Sequence, residues 1–144
     1  MNNKDSSSVV QKKIEEHICS VKGYGSGNKT IENISFQFDG IDKNNKELIE
    51  IYCGLEKLSS GQIKKISNDV HKMIFFEMLS KETFLKRIIV VDNKIKDLLT
   101  FELHKSWLNK SIEFNKINVE LFNLPEDLHE ELINTKSKQS QRMK

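Results

Sequence analysis

The chain has 144 residues, 37% of them apolar and 31% charged, with a net charge of +2, the values of one soluble globular domain with a real core. That charge is too small to argue for nucleic acid, and the basic side is nearly all lysine (Arg87 and Arg142 are the arginines), a bias that goes with frequent asparagine and isoleucine. No apolar run approaches the roughly 20 residues that cross a bilayer, the polar opening over 1–8 predicts no signal peptide, and the isolated Cys19 and Cys53 read as reduced thiols of a cytoplasmic protein.

In chain order, Val10, Ile14, Ile18 and Val21 form one helical stripe, predicting a helix over 9–21 with Ser8 as N-cap. The glycines at 23, 25 and 27 break it, and strand-like residues begin near Thr30. Alternating apolar residues on both sides of Asn44-Asn45 predict a hairpin with a two-residue loop. Ser59-Ser60 caps a helix in which Ile63, Ile66, Val70, Met73 and Ile74 recur at helical spacing. The continuous apolar run 87–92 predicts a strand buried on both faces. Asn93 opens a helix to about Leu108, 117–122 is a strand, Pro125 starts a short helix, and the basic segment 135–144 reads as a disordered tail after a single domain over 1–134. This alternation is the order of an α/β protein built around one mixed sheet.

The hairpin register puts 41 opposite 48 and 39 opposite 50. One face then carries Gln37, Asp39, Ile41, Leu48, Glu50 and Tyr52, and the other Phe36, Phe38, Ile49, Ile51 and Cys53. Carboxylates facing each other across antiparallel strands repel by a few tenths to about 1 kcal/mol. A cation between Asp39 and Glu50 is the natural remedy, so the pair reads as a metal site.

An acid on one strand, an acid on the next, then a helix and a buried strand resembles the restriction-endonuclease-like superfamily of PD-(D/E)xK nucleases over 9–92. The resemblance makes Asp39 the first acid and sets Glu50-Ile51-Tyr52 where (D/E)-x-K stands. It implies a central mixed sheet flanked by helices, Mg²⁺ (or Mn²⁺) held by Asp39, Glu50 and the Ile51 carbonyl, and hydrolysis of nucleic acid, with DNA expected. Glu15, nearer the apolar stripe than Glu16, matches the acid that many members carry on the first helix, and Gln62 the glutamine found after the motif strand. Tyr52 replaces the motif lysine and brings no positive charge. Lys57 or Lys65 is then the expected basic group. With no separate target-recognition segment, a homodimer or partner subunit is expected to supply specificity.

The same residues have plainer readings. Asp39-Gly40 can end a strand, Glu50 can pair with a lysine on an exposed face, and Gln62 can fill a first helical turn. The lysines at 64, 65, 72, 86, 94 and 96 read as solvated surface, the four histidines as surface or boundary residues, and Trp107 with the phenylalanines as core. An inactive nucleic-acid-binding module and an interaction subunit of a larger complex are the alternatives to a nuclease.

Overall fold

The computed structural model describes residues 3–142 and the side-chain surroundings of 8–138. The elements are α1 (Asn3–Lys22), β1 (Gly25–Ile31), β2 (Ile34–Ile41), β3 (Glu47–Tyr52), α2 (Ser60–Ser80), β4 (Leu85–Val90), α3 (Asn93–Leu99), α4 (Trp107–Phe114), β5 (Asn118–Leu121) and α5 (Glu126–Arg142). The strands form one sheet in the order β1-β2-β3-β4-β5. β1, β2 and β3 run antiparallel, whereas β3, β4 and β5 are parallel. The fold is therefore α/β, with a five-stranded mixed sheet between two helical layers. Among the described residues no helix is long and apolar enough to cross a membrane.

The period-2 alternation of β3 and β4 divides the core. Leu48, Tyr52, Ile88 and Val90 face α2, α3 and α4, where they meet Val70, Met73, Phe76, Ile95, Leu99 and Ile112. Ile49, Ile51, Cys53, Ile89 and Val91 face the other way, against Val10, Ile14 and Ile18 of α1 and Leu132 of α5. Ile88 to Val91 are all at most 6% exposed, as a strand covered on both faces requires. Ser59 caps α2 in a full capping box, with Gln62 reaching back to the Ser59 N–H.

Several expectations are corrected. α1 begins before Ser8, which lies inside it, and β1 already starts within the glycine segment at Gly25. The hairpin loop is wider than two residues, because the Asp42 side chain accepts the N–H groups of Lys46 (2.6 Å) and Glu47 (2.8 Å) and so ties a longer turn. Register survives this as far as Gly40, since Ile41 pairs with Leu48 and Gly40 with Ile49. The expected pairing of Asp39 opposite Glu50 on one face is not made: Glu50 faces α2, whereas Asp39 lines a groove beside α1. Phe36 and Phe38 lie on the α2 side with Leu48, not with Ile49 and Ile51. The cause is a bulge: Gly25 pairs with Ile41 but Gly27 with Phe38, so β2 carries one extra residue at Asp39-Gly40 and its pleat reverses there.

Further along, the single helix expected over 93–108 is two, because Thr100 ends α3 and Ser106 caps α4 through the Asn109 N–H. The tail is helical to Arg142: α5 buries Leu132 on the sheet and joins Lys13 to Glu131 at 2.9 Å. Residues 143–144 of that expected tail lie outside the described residues. Trp107 and Phe114 are 71% and 77% exposed rather than core. Lys86 is buried against the Glu77 carboxylate, at 2.9 Å from both oxygens, and is no surface lysine.

Candidate functional site

The bulge makes the site. Beyond the pair Gly40↔Ile49 the β2 backbone no longer follows β3, and the Asp39 side chain fills the gap: its Oδ2 accepts the Ile51 N–H at 2.7 Å. N–H and C=O of one strand residue point to the same side, so the Ile51 carbonyl faces this opening too. Gly40 lets the turn close, because a Cβ there would stand 3.1 Å from Tyr24 Cβ and 3.4 Å from Cys19 Sγ. Cys19 Sγ in turn donates to the Asp39 carbonyl at 3.4 Å.

Glu50, one residue before Ile51, points the other way along the pleat, toward α2. It is 4% exposed. Burial, then the charges of Asp39 and Asp69, push its pKa up to about 9 against the opposing pull of Lys72. Lys72 Nζ lies 2.8 Å from Glu50 Oε1, where it is the partner of the carboxylate, and it also donates to the Gln37 carbonyl at 2.5 Å.

Asp39 stands at the seam between the two layers, and charge reaches it from both. From α1, Glu15 is raised by burial and by Asp39, opposed by its bond from Gln11 at 2.9 Å and by Lys65. From α2, the Lys65 ammonium is disfavoured by burial, but Asp69, Asp39 and Glu50 outweigh this and raise its pKa. Lys65, Asp69 and Lys72 recur at i, i+4 and i+7, one face of α2, with Lys65 at 3.4 Å and Lys72 at 3.7 Å from the Asp69 carboxylate. An open groove lined by Lys12, Glu15, Cys19, Tyr24, Ser26 and Asp39 leads to Asp39 from the α1 side.

Four of the residues singled out in the sequence, Asp39, Glu50, Glu15 and Lys65, lie near enough to feel one another's charge, and the direct bond among these and Ile51 is that of Asp39 to the Ile51 N–H. Three others are occupied elsewhere. Tyr52 is packed in the α2-side core, 7% exposed, with its hydroxyl buried and unpartnered and its ring against Gly54. Burial holds its phenol protonated well above the usual range, so Tyr52 cannot replace a lysine. Gln62 commits its Oε1 to the cap of α2, 2.8 Å from the Ser59 N–H, and that accounts for it. Lys57 is exposed on the loop after β3, where only its backbone N–H is bonded, to the Leu55 carbonyl.

Sequence reasoning missed Lys72 and Asp69. A signal existed in their i+7 and i+4 spacing from Lys65, but in so lysine-rich a chain a partner is visible only once β3 is placed against α2.

The donors around the opening are all oxygen: the Asp39 and Glu50 carboxylates, the Ile51 carbonyl and, across the seam, Glu15. That set suits a hard cation such as Mg²⁺ or Mn²⁺, and the cation present at Glu50 Oε1 in this structure is the Lys72 ammonium. Among the described residues no three His, Cys, Asp or Glu side chains converge closely enough to form a cage. Mg²⁺ does not need one, since it is usually held by one or two carboxylates, with waters and substrate phosphate completing the shell. Comparison with protein-family models, curated proteins and solved structures found no match.

Proposed function

We propose that this protein is a divalent-metal-dependent nuclease of restriction-endonuclease-like fold that hydrolyses phosphodiester bonds, with DNA as its substrate. The observation that carries the reading is the pairing of two acids at the point where β2 leaves β3. Asp39 is anchored on the β3 edge by the Ile51 N–H, and Glu50 is buried beside it under the charge of Asp39. Packing alone gives no reason to bury Glu50, because an enclosed carboxyl with so displaced a pKa lowers stability at neutral pH. The order α1-β1-β2-β3-α2-β4 and the acid on α1 agree with the same reading.

Asp39 and Glu50 would hold the cation with the Ile51 carbonyl, and Glu15 would hold a water or a second ion across the seam. When bound, the cation would neutralise charge on the phosphate and lower the pKa of an attacking water. Lys65, already under the pull of Asp39 and Glu50, adds positive potential at the mouth of the site. The groove beside α1 gives a backbone a path to Asp39.

The test is cleavage of plasmid and linear DNA with Mg²⁺ or Mn²⁺, alongside metal-dependent thermal stabilisation. Asp39→Ala and Glu50→Ala should abolish both and still fold. A wild-type protein that neither binds divalent metal nor cuts DNA refutes the proposal. The enclosed Tyr52 at the motif lysine position favours a second reading, a nucleic-acid-binding module without cleavage. DNA binding that survives both substitutions, with no cutting by any form, would select it.

A further inference from the structure

Lys72 is the cation nearest the acid pair, and its surroundings are unusual for a counter-ion. Its Nζ is 2.8 Å from Glu50 Oε1, 3.7 Å from Asp69 Oδ1 and 2.5 Å from the Gln37 carbonyl, and it lies 5.3 Å from the centre of the Phe38 ring. Its side chain is 29% exposed, against 5% for that of Glu50, so the ammonium closes the acid from the solvent side. It holds the place on Oε1 that a metal ion would take. Gln37 and Phe38 belong to the part of β2 that has left β3, so Lys72 bridges the two walls of the opening. Lys65, 48% exposed and paired with Asp69 at 3.4 Å, does not reach Glu50 in this way.

Resting on the nuclease reading above, we propose that Lys72 is the exchangeable basic residue of the site. Its ammonium stands in for the divalent cation at Glu50 and, once displaced by it, binds the substrate phosphate. The exchange replaces one positive charge at Glu50 by two, and a proton still held by Glu50 leaves as the metal ion arrives. It also answers why the chain dispenses with a lysine at position 52: the positive group comes from α2, across the sheet face, on a flexible four-carbon stem.

Two measurements on the full chain test this. In the first, Lys72→Met removes the competitor at similar volume. Mn²⁺ affinity, read by titration calorimetry, should tighten by about tenfold or more, the scale on which a close opposite charge acts on a carboxylate. DNA cleavage should fall roughly a hundredfold or more, as when a group that stabilises transition-state charge is lost. A purely structural counter-ion predicts the opposite, unchanged or weaker Mn²⁺ binding with cleavage retained, and that result overturns the proposal. The second needs no variant: lysine-selective labelling of the wild-type protein, read by mass spectrometry, should show Lys72 modified several-fold faster when Mn²⁺ is added. Bound Mn²⁺ with unchanged labelling of Lys72 overturns the role of Lys72 alone, whereas absence of Mn²⁺ binding overturns the nuclease reading with it.

Discussion

Glu50→Gln should make the metal-free protein more stable. In the folded state the Glu50 carboxyl titrates near 9, against 4.5 for an unperturbed group, with burial the main cause and Asp39 and Asp69 adding to it. Between these two values the folded protein holds a proton that the unfolded chain has released, so stability falls as pH rises, by about 1.4 kcal/mol per pH unit. At neutral pH the accumulated loss is about 3 kcal/mol, and near pH 9 about 6 kcal/mol. Glutamine keeps the shape and cannot ionise, which removes the loss. For a chain of this length a gain of about 3 kcal/mol corresponds to a melting temperature higher by about 10 °C. The assay is thermal or urea denaturation of both proteins in chelator across pH 5 to 9. The curves should nearly coincide at the acid end and separate steadily upward, with the variant the more stable. Excess Mn²⁺ should then stabilise only the wild type, increasingly so at higher pH, because metal binding must expel the proton. A variant less stable than the wild type throughout, or a difference that does not vary with pH, would show that the Lys72 ion pair outweighs burial and keeps Glu50 ionised. A protonated, destabilising Glu50 would then no longer support the site, and the Lys72 pairing alone would account for its burial.

Tyr52→Phe should leave stability unchanged or improved by up to about 1 kcal/mol and leave cleavage intact, since the hydroxyl is buried without a partner; a large loss of either in denaturation or cleavage assays would give the phenol a role. Gly27→Ala should cost more than about 2 kcal/mol in urea denaturation, because its Cβ would stand 2.0 Å from the Phe38 carbonyl oxygen and force β1 off β2 at the bulge; a neutral outcome would contradict the bulge. Lys65→Ala should slow DNA cleavage by up to about tenfold, whereas Lys57→Ala should not change it, and the reverse order would show that the loop after β3, not α2, carries the charge.

The sheet was legible where one side chain per residue decides its face. The run 87–92 and the pair Ile41–Leu48 follow from pattern alone. What escaped was set by single residues acting over a distance. One inserted residue at Asp39-Gly40 reverses the pleat of β2 and carries Phe36 and Phe38 to the other core, and glycine is its only trace in the sequence. The break between α3 and α4 hides because Leu103 falls on the helical period although the chain has already left the helix, and it is 60% exposed. The disordered tail was misjudged for a related reason: from 135 it continues α5 past Leu132 and the Lys13–Glu131 pair with polar residues and no apolar stripe of its own.

The site divides along the same line. Asp39 and Glu50 stand close in sequence across one hairpin, and alternation encodes its register as far as Gly40↔Ile49; beyond that pair the bulge, not the ladder, sets where Asp39 lies. The basic group comes from the next helix, 22 residues after Glu50, and only the packing of α2 against β3 brings Lys72 to Glu50. The bulge that defeated the reading of faces is also what gives the acids their use. A regular ladder would have satisfied the Ile51 N–H and C=O with backbone partners and left Asp39 and Glu50 as two opposed side chains. By releasing β2 one residue early, the extra residue hands that N–H to the Asp39 carboxylate and leaves the neighbouring carbonyl facing the gap. Asp39→Asn therefore separates structure from chemistry. The amide oxygen can still accept from Ile51, so the fold should hold within about 1 kcal/mol, while the lost charge should weaken Mn²⁺ binding and lower the pKa of Glu50 by removing its largest charged opponent. If the variant unfolds instead, the Asp39 carboxylate is needed first as a strand-edge acceptor, and any metal is secondary to that role.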